Sequence, residues 1–266
     1  MKNLNTKTKA WINLFAFIIT IAFNALGSFG YINGMSQKAV SDKYHNLITP
    51  APFTFSIWGI IYTLLLLTLA MMIVKKKDSK VNKLINIFTP TFLLSSLFNI
   101  LWIVSFSYEQ IGISTIFIFL LLISLTTISK RLDEHRSEIP YRLIGITFGL
   151  YSGWLTIASV VNVAAYLVRM GWNGFGISQT VLAPTVLALS IIIVILINTK
   201  INNAIYTLPV AWAFFGILME TRRLAGKLDY GTYLNPVIII GIVVLTLVSI
   251  LQFNRNNFCV VKREDK

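Results

Sequence analysis

Apolar residues occupy this chain in eight long runs, and short polar segments separate the runs. A helix needs about 20 mostly apolar residues to cross a bilayer, because each residue advances it by about 1.5 Å. Seven runs meet this length, whereas the run at 204–219 is short and contains Pro209. The pattern therefore predicts an all-α membrane protein, a polytopic bundle of about eight transmembrane helices. The predicted spans cover residues 11–32, 53–74, 88–108, 111–129, 141–168, 177–198, 204–219 and 233–253.

The composition supports this prediction and narrows the class of protein. Hydrophobic residues make up 56% of the chain and charged residues 12%, against about 45–50% and about 25% in soluble domains. The net charge of +13 could indicate a nucleic-acid partner, but no basic stretch carries the alternating aromatics of a base-stacking surface. Cys259 is the only cysteine, so the sequence predicts neither an intrachain disulfide nor a zinc site.

The basic residues are distributed unevenly between the two sides of the predicted bundle. With the N-terminus in the cytoplasm, the inner segments hold 17 Lys and Arg and the outer segments hold six. Cytoplasmic loops carry this excess, so we expect a multi-pass protein of the cell membrane with both termini cytoplasmic. The first run is similar to a signal peptide in its leading Lys and the small residues at 25–28, but it is longer and continues to Tyr31. A retained first span is the better interpretation.

Two further features each leave two interpretations open. The connection from Gly34 to Pro52 is the longest outer one, and it forms either a lid over a pocket or a plain solvated loop. Gly145, Gly149 and Gly153 recur at intervals of four, which makes a groove that another helix can enter closely. That groove serves either packing inside the bundle or a homodimer interface.

The predicted membrane interior lacks groups that could catalyse a reaction. His45 and His135 fall in connections, and every Asp and Glu lies in a loop, a tail or the end of a span. A hydrolase or transferase needs a base and a nucleophile within reach, and a proton-coupled transporter places an ionisable group in its path. The sequence therefore predicts no catalytic residue and no metal ligand. Glu220 is the nearest candidate, but with Arg222 and Arg223 beside it we expect an interfacial charge cluster.

Three predicted spans carry an aromatic side chain with a further aromatic or an amide three, four, seven or eight residues away on one helix face. Lipid does not satisfy an amide, so Asn99 and Asn162 must face protein or a cavity. Helix packing is a sufficient explanation for each aromatic residue taken alone. The two amides could likewise form hydrogen bonds with each other or with helix backbones. If the three faces converge, however, they form an aromatic pocket for a flat, mostly apolar ligand. The candidate ligand-binding residues are Phe55, Trp58, Tyr62, Asn99, Trp102, Phe106, Trp154, Ala158 and Asn162.

These motifs and their order resemble the TspO/MBR family, the tryptophan-rich sensory proteins related to the mitochondrial translocator protein. The second-helix motif of that family is similar to Trp58 and Tyr62 with Pro50 before them. The motifs of its third and fifth helices are matched by Asn99, Trp102, Phe106, Gln110 and Gly112, and by Trp154, Ala158 and Asn162.

The chain departs from the family pattern at two places near these motifs. Ser56-Ile57 stands where the family has Gly-Pro before the second-helix Trp, and the family's paired prolines are absent. The pair Pro140-Tyr141 lies farther upstream of Trp154 than the family's Pro-Tyr does. The first departure affects the rim of the expected pocket.

The resemblance covers about residues 11–168 and implies a five-helix bundle that binds tetrapyrroles or other flat hydrophobic molecules. We divide the chain into a TspO/MBR-like bundle at 1–170 and, at 171–266, three additional transmembrane helices with a cytoplasmic tail, a longer bacterial form. The implied function is a receptor or carrier, with a small-solute permease and a porphyrin-degrading enzyme as alternatives. Expected partners are the lipid bilayer, a porphyrin, haem or sterol-like ligand, and a second copy of the chain. We expect no covalent cofactor and no metal.

Within such a pocket the residue types suggest separate roles. Trp58, Tyr62, Trp102 and Trp154 would supply stacking surface, each aromatic pair contributing about 0.5–1.5 kcal/mol beyond burial. Asn99 and Asn162 would either orient the ligand or hold the pocket walls. Ala158 would leave room for the ligand.

Overall fold

The computed structural model describes residues 4–135 and 142–261. Within those ranges the chain forms nine α-helices, two short 3-10 helices and no strand. Seven of the helices, all except α2 and α8, are long and apolar enough to cross a membrane. The prediction of an all-α polytopic bundle is therefore confirmed. The helices are α1 (Thr6–Ser28), α2 (Gln37–Lys43), α3 (Ile57–Val74), α4 (Ser79–Ser107), α5 (Ile111–Glu134), α6 (Arg142–Arg169), α7 (Gln179–Ile201), α8 (Leu208–Arg223) and α9 (Leu234–Arg255).

Helix α4 begins much earlier than the apolar run that predicted it. It starts at Ser79 rather than at 88, because the Asp78 side chain accepts a hydrogen bond from the Lys80 backbone N–H and caps the first turn. The added turns bury Val81 and Leu84 on one face while their other face stays polar. A run of apolar residues marks only the part of a helix that lies in lipid, so the amphipathic extension at 79–87 does not appear in it.

The connection between α1 and α3 is ordered and includes α2 and a 3-10 helix at Pro52–Ser56. Val40 of α2 is fully buried in a cluster with Phe106. The C-terminal end of α2 is held by Glu109, which accepts hydrogen bonds from Lys43 Nζ at 2.5 Å and from Tyr44 Oη at 2.6 Å. The bond from Lys43, followed by that from Tyr44, holds the pKa of the Glu109 carboxyl below its usual value.

Helix α8 has 16 residues, roughly 24 Å at about 1.5 Å per residue, so it is short for a span. Its N-terminus lies inside the bundle, where Thr207 Oγ1 donates to the Leu245 carbonyl at 2.8 Å, half way along α9. In the segment before α8, the Ala204 carbonyl accepts a hydrogen bond from Ser249 Oγ of α9 at 2.6 Å. Irregular backbone is tolerated at membrane depth only where protein surrounds it, and residues 203–207 are surrounded in this way.

The three-glycine groove of α6 is filled by this same irregular segment. A Cβ added at Gly149 would lie 2.4 Å from Asn203 Oδ1, and one at Gly153 would lie 2.0 Å from the Tyr206 carbonyl oxygen. Of the two interpretations of the groove, internal packing is therefore the one observed. A homodimer stays a prediction and would need a different surface. The division of the chain near residue 170 also stays a prediction.

Both ends of the described chain lie at one face of the bundle. Near the N-terminus, Lys9 Nζ donates to Asn86 Oδ1 at 2.6 Å, close to the start of α4. Near the C-terminus, the Ala204 N–H donates to the Val260 carbonyl at 2.9 Å, beside the end of α7. An even number of crossings, with α8 as one of them, accounts for this arrangement.

Some of the sequence predictions concern residues outside the described ranges. The displaced pair Pro140-Tyr141 lies there, as do five of the basic residues counted as inner. Those five are Lys2, Arg136, Lys262, Arg263 and Lys266.

We propose that the face carrying both termini is cytoplasmic, and cysteine labelling tests this orientation. In a Cys259→Ser background, Lys77→Cys lies in the exposed connection before α4 and Lys227→Cys in the exposed connection after α8. Each variant removes one positive charge from its own side, so the two are matched. A membrane-impermeant maleimide should label Lys227→Cys in intact cells and Lys77→Cys only after permeabilisation. The reverse pattern would overturn the orientation.

Candidate functional site

Eight of the nine candidate residues line one cavity of about 280 Å³, which we call the aromatic cavity. It lies in the half of the bundle away from the termini, with walls from α1, α3, α4 and α6. Helix α2 and the segment before α3 cover it. The eight are Phe55, Trp58, Tyr62, Trp102, Phe106, Trp154, Ala158 and Asn162, while Asn99 does not line it. Their convergence is observed, and their assignment as ligand-binding residues stays a prediction.

Trp58 is the centre of the aromatic wall. Its ring stacks on Tyr62 with centroids 5.3 Å apart and planes 23° apart. It lies 5.9 Å from the Trp102 ring and meets Trp154 edge to face at 6.1 Å. Phe55 meets Trp154 edge to face at 6.1 Å from the other side. Each pair contributes about 0.5–1.5 kcal/mol beyond burial, so flat apolar surfaces are held in fixed orientations.

Asn99 lies behind this wall and holds three helices together. It is fully buried, its Nδ2 donates to Tyr151 Oη at 2.9 Å, and its Oδ1 accepts from Asn24 Nδ2 at 2.6 Å. These bonds join α4 to α6 and to α1. Asn24 itself lines the cavity, although it is not among the nine candidate residues. It carries the same sequence signal as Asn99, because it is also an amide inside an apolar run.

Asn162 lines the cavity but is already engaged by protein. Its Oδ1 accepts from Trp102 Nε1 at 3.2 Å, and its Nδ2 donates to Thr115 Oγ1 at 2.7 Å and to Ser114 Oγ at 3.2 Å. The amide therefore fixes the indole of Trp102 and ties α6 to α4 and α5. Of the two roles considered for the amides, the geometry favours holding the walls.

Two donors in the lining have no hydrogen bond to any described residue. The Trp154 side chain is 2% exposed, and its Nε1–H has no partner. The Tyr62 hydroxyl lies near Asn99 without a hydrogen bond of good geometry. A buried donor left unpaired costs about 1–3 kcal/mol. Both atoms are themselves buried, so a ligand acceptor reaches them only when the neighbouring rings shift.

The mouth of the cavity is more polar than its depth. Helix α2 contributes Gln37, Lys38 and Ser41 to the lining. Gln37 Nε2 donates to the Asn24 carbonyl at 3.4 Å, and Lys38 forms an ion pair with Asp42 one turn later. The connection that the sequence left open between lid and solvated loop therefore covers the cavity and supplies a cation at its edge.

A second cavity of about 480 Å³ lies between α5, α6 and α7. It is larger, but its walls are mainly aliphatic, and Trp154 and Tyr62 do not line it. None of the nine candidate residues contributes to it. The aromatic cavity is the better candidate site because it combines stacking surfaces with unpaired donors.

A family profile described as TSPO-like protein matches residues 10–253. The match runs through α9, past residue 168 where the similarity of individual motifs ends. Comparison with curated proteins and with solved structures gives no match.

The buried amide network predicts a specific loss of stability. Asn99→Leu removes both polar groups from between Asn24 and Tyr151 and leaves the Tyr151 hydroxyl without this partner. We expect a loss of about 1–2 kcal/mol, seen as a lower thermal midpoint in detergent. Thr63→Leu is the control, since Thr63 is exposed and bonds only its own helix at Gly59. Equal midpoints for the two variants would contradict a supporting role for Asn99.

Proposed function

The chain belongs to the TSPO-like protein family, and we propose that it is a receptor or carrier for a planar hydrophobic ligand of the tetrapyrrole type. Membership makes it a membrane-bound ligand-binding or transport protein. The ligand class and the site are our proposal. The observation that carries it is the unpaired indole N–H of Trp154 within an aromatic wall.

Three features of the aromatic cavity support a ligand of this class. Its flat walls suit a planar conjugated ring, because offset and edge-on aromatic contacts are favourable. The N–H of Trp154 and the O–H of Tyr62 need acceptors, which peripheral carbonyl or carboxylate oxygens supply. Lys38 at the mouth suits a carboxylate, which would take the place of its present partner Asp42. A porphyrin combines an apolar plane with carboxylates at one edge.

Binding is proposed in preference to chemistry because of the residue types at the site. No acid, histidine or cysteine is among the residues that line the aromatic cavity. The lining can therefore stack on, orient and enclose a ligand, and its titratable groups are limited to Lys38 at the mouth and Tyr62, whose hydroxyl is buried. Flux of ligand into proteoliposomes would distinguish a carrier from a receptor.

Removing the unpaired donor should weaken binding. Trp154→Phe keeps an aromatic ring and deletes the N–H, so the variant loses one hydrogen bond to the ligand. We expect the Kd for protoporphyrin to rise roughly 3- to 10-fold, measured by tryptophan quenching in detergent. Trp11→Phe is the control, because Trp11 is 50% exposed and lies outside the cavity. If both variants bind as the wild type does, the donor role is wrong.

A matched pair of alanines on α6 decides which cavity the ligand occupies. Ala158 lines the aromatic cavity and Ala164 lines the second cavity. Ala158→Leu should overfill the aromatic cavity and weaken protoporphyrin binding about tenfold or more, whereas Ala164→Leu should leave it unchanged. The same quenching titration measures both. Weakening by Ala164→Leu alone would move the ligand to the second cavity and overturn the proposed site.

A further inference from the structure

One face of α8 contacts the covering of the aromatic cavity at three successive turns. We call residues 45–55, which join α2 to α3, the rim segment. Trp212, Gly216 and Glu220 are spaced by four residues, so their side chains lie above one another on one helix face. Each of the three contacts the rim segment.

The contacts of α8 run along the rim segment in order. Trp212 Nε1 donates to the Thr54 carbonyl at 3.0 Å, and the Ala51 N–H donates to the Gly216 carbonyl at 3.1 Å. One turn later, Glu220 Oε1 lies 3.4 Å from His45 Nε2. Backbone groups of the rim segment thus find their partners on α8, which makes the attachment specific to this register.

Gly216 allows the closest of these approaches. A Cβ at this position would lie 2.0 Å from Thr54 Oγ1 and 2.7 Å from Thr54 Cγ2, distances that real atoms do not adopt. Thr54 is fully buried, so it has no free space into which to withdraw. Any side chain at 216 would therefore push the rim segment away from α8.

The position of Thr54 bears directly on the aromatic cavity. The next residue, Phe55, lines the cavity and meets the Trp154 ring edge to face. Pro50 and Pro52 of the rim segment also line it, and Ala213 contributes from α8 itself. A shift of the rim segment would move these walls together.

The C-terminal end of α8 is held in place by an ion pair. The Glu220 side chain is only 4% exposed and accepts from Arg223 Nε at 2.8 Å and from Arg223 Nη2 at 2.5 Å. A buried carboxylate needs such a partner. This pairing keeps Glu220 oriented beside His45.

We propose that this face of α8 positions the rim segment and thereby determines the shape and ligand affinity of the aromatic cavity, with Gly216 as the central positioning residue. The inference rests on the proposed function for its ligand. It makes the helices after residue 170 part of the binding site.

The first test measures the rim segment without any ligand. Ala51→Cys in a Cys259→Ser background places a thiol at a buried position of the rim segment, since Ala51 is 4% exposed. Adding Gly216→Ala should speed its labelling by a maleimide in detergent about tenfold or more, because overpacking displaces the segment. Gly59→Ala is the control, because a Cβ there meets nothing within 4 Å. Equal labelling rates in the two backgrounds would overturn the positioning role.

The second test measures affinity for protoporphyrin. Gly216→Ala should raise the Kd about tenfold, while Gly59→Ala leaves it unchanged. Adding Thr54→Ala to Gly216→Ala removes the two closest of the three clashing atoms and leaves only Cβ at 2.9 Å, so it should recover much of the affinity and of the labelling protection. Recovery of neither would contradict the contact as the cause. Trp212→Phe deletes the hydrogen bond to the Thr54 carbonyl without overpacking, so it should also raise the Kd. This variant replaces Gly216→Ala in the test if Gly216→Ala does not fold.

The two tests separate failure of this inference from failure of the proposed function. If Gly216→Ala exposes Ala51→Cys but even the wild type does not bind protoporphyrin, the ligand class is wrong and the positioning role stands. If the wild type binds and Gly216→Ala changes neither readout, the ligand class stands and the positioning role is wrong.

Discussion

A polar side chain inside hydrocarbon must find its partner within the protein, and this requirement organises the bundle. Asn99 meets it through Asn24 and Tyr151, which joins α1, α4 and α6 behind the aromatic wall. Asn162 meets it through the indole of Trp102 and two hydroxyls of α5. Each of these two amides forms hydrogen bonds with helices other than its own. The bonds that satisfy the amides therefore also fix the relative positions of the helices.

The aromatic cavity lies where this requirement is met incompletely. Trp154 and Tyr62 line it, and each carries a buried donor that no described residue accepts from. The second cavity is larger, yet these unpaired groups do not line it. Volume alone therefore does not identify a site in a membrane protein, since lipid chains can fill an aliphatic space at little cost. Unpaired polar groups beside stacking surfaces define a preference for a particular kind of molecule.

The helices after residue 170 are built into the bundle. The irregular segment before α8 fills the glycine groove of α6, and the following helix holds the rim segment. Directly after the rim segment, Ser56-Ile57 stands in place of the Gly-Pro of the TspO/MBR pattern. Contacts from α8 provide an external constraint on the same segment. The profile match through residue 253 agrees with a single bundle that includes these helices.

The sequence by itself determined most of the spans and most of the residues that converge on the aromatic cavity. Lipid imposes length and apolarity on each span, and it forces amides such as Asn162 to face protein, so both are visible as patterns along the chain. Tertiary structure alone decided that Asn99 supports the wall from behind, since satisfied and unsatisfied amides look alike in sequence. It alone also decided the contact of Thr54 with Gly216. The two residues are far apart along the chain, and only the packing of their helices brings them together.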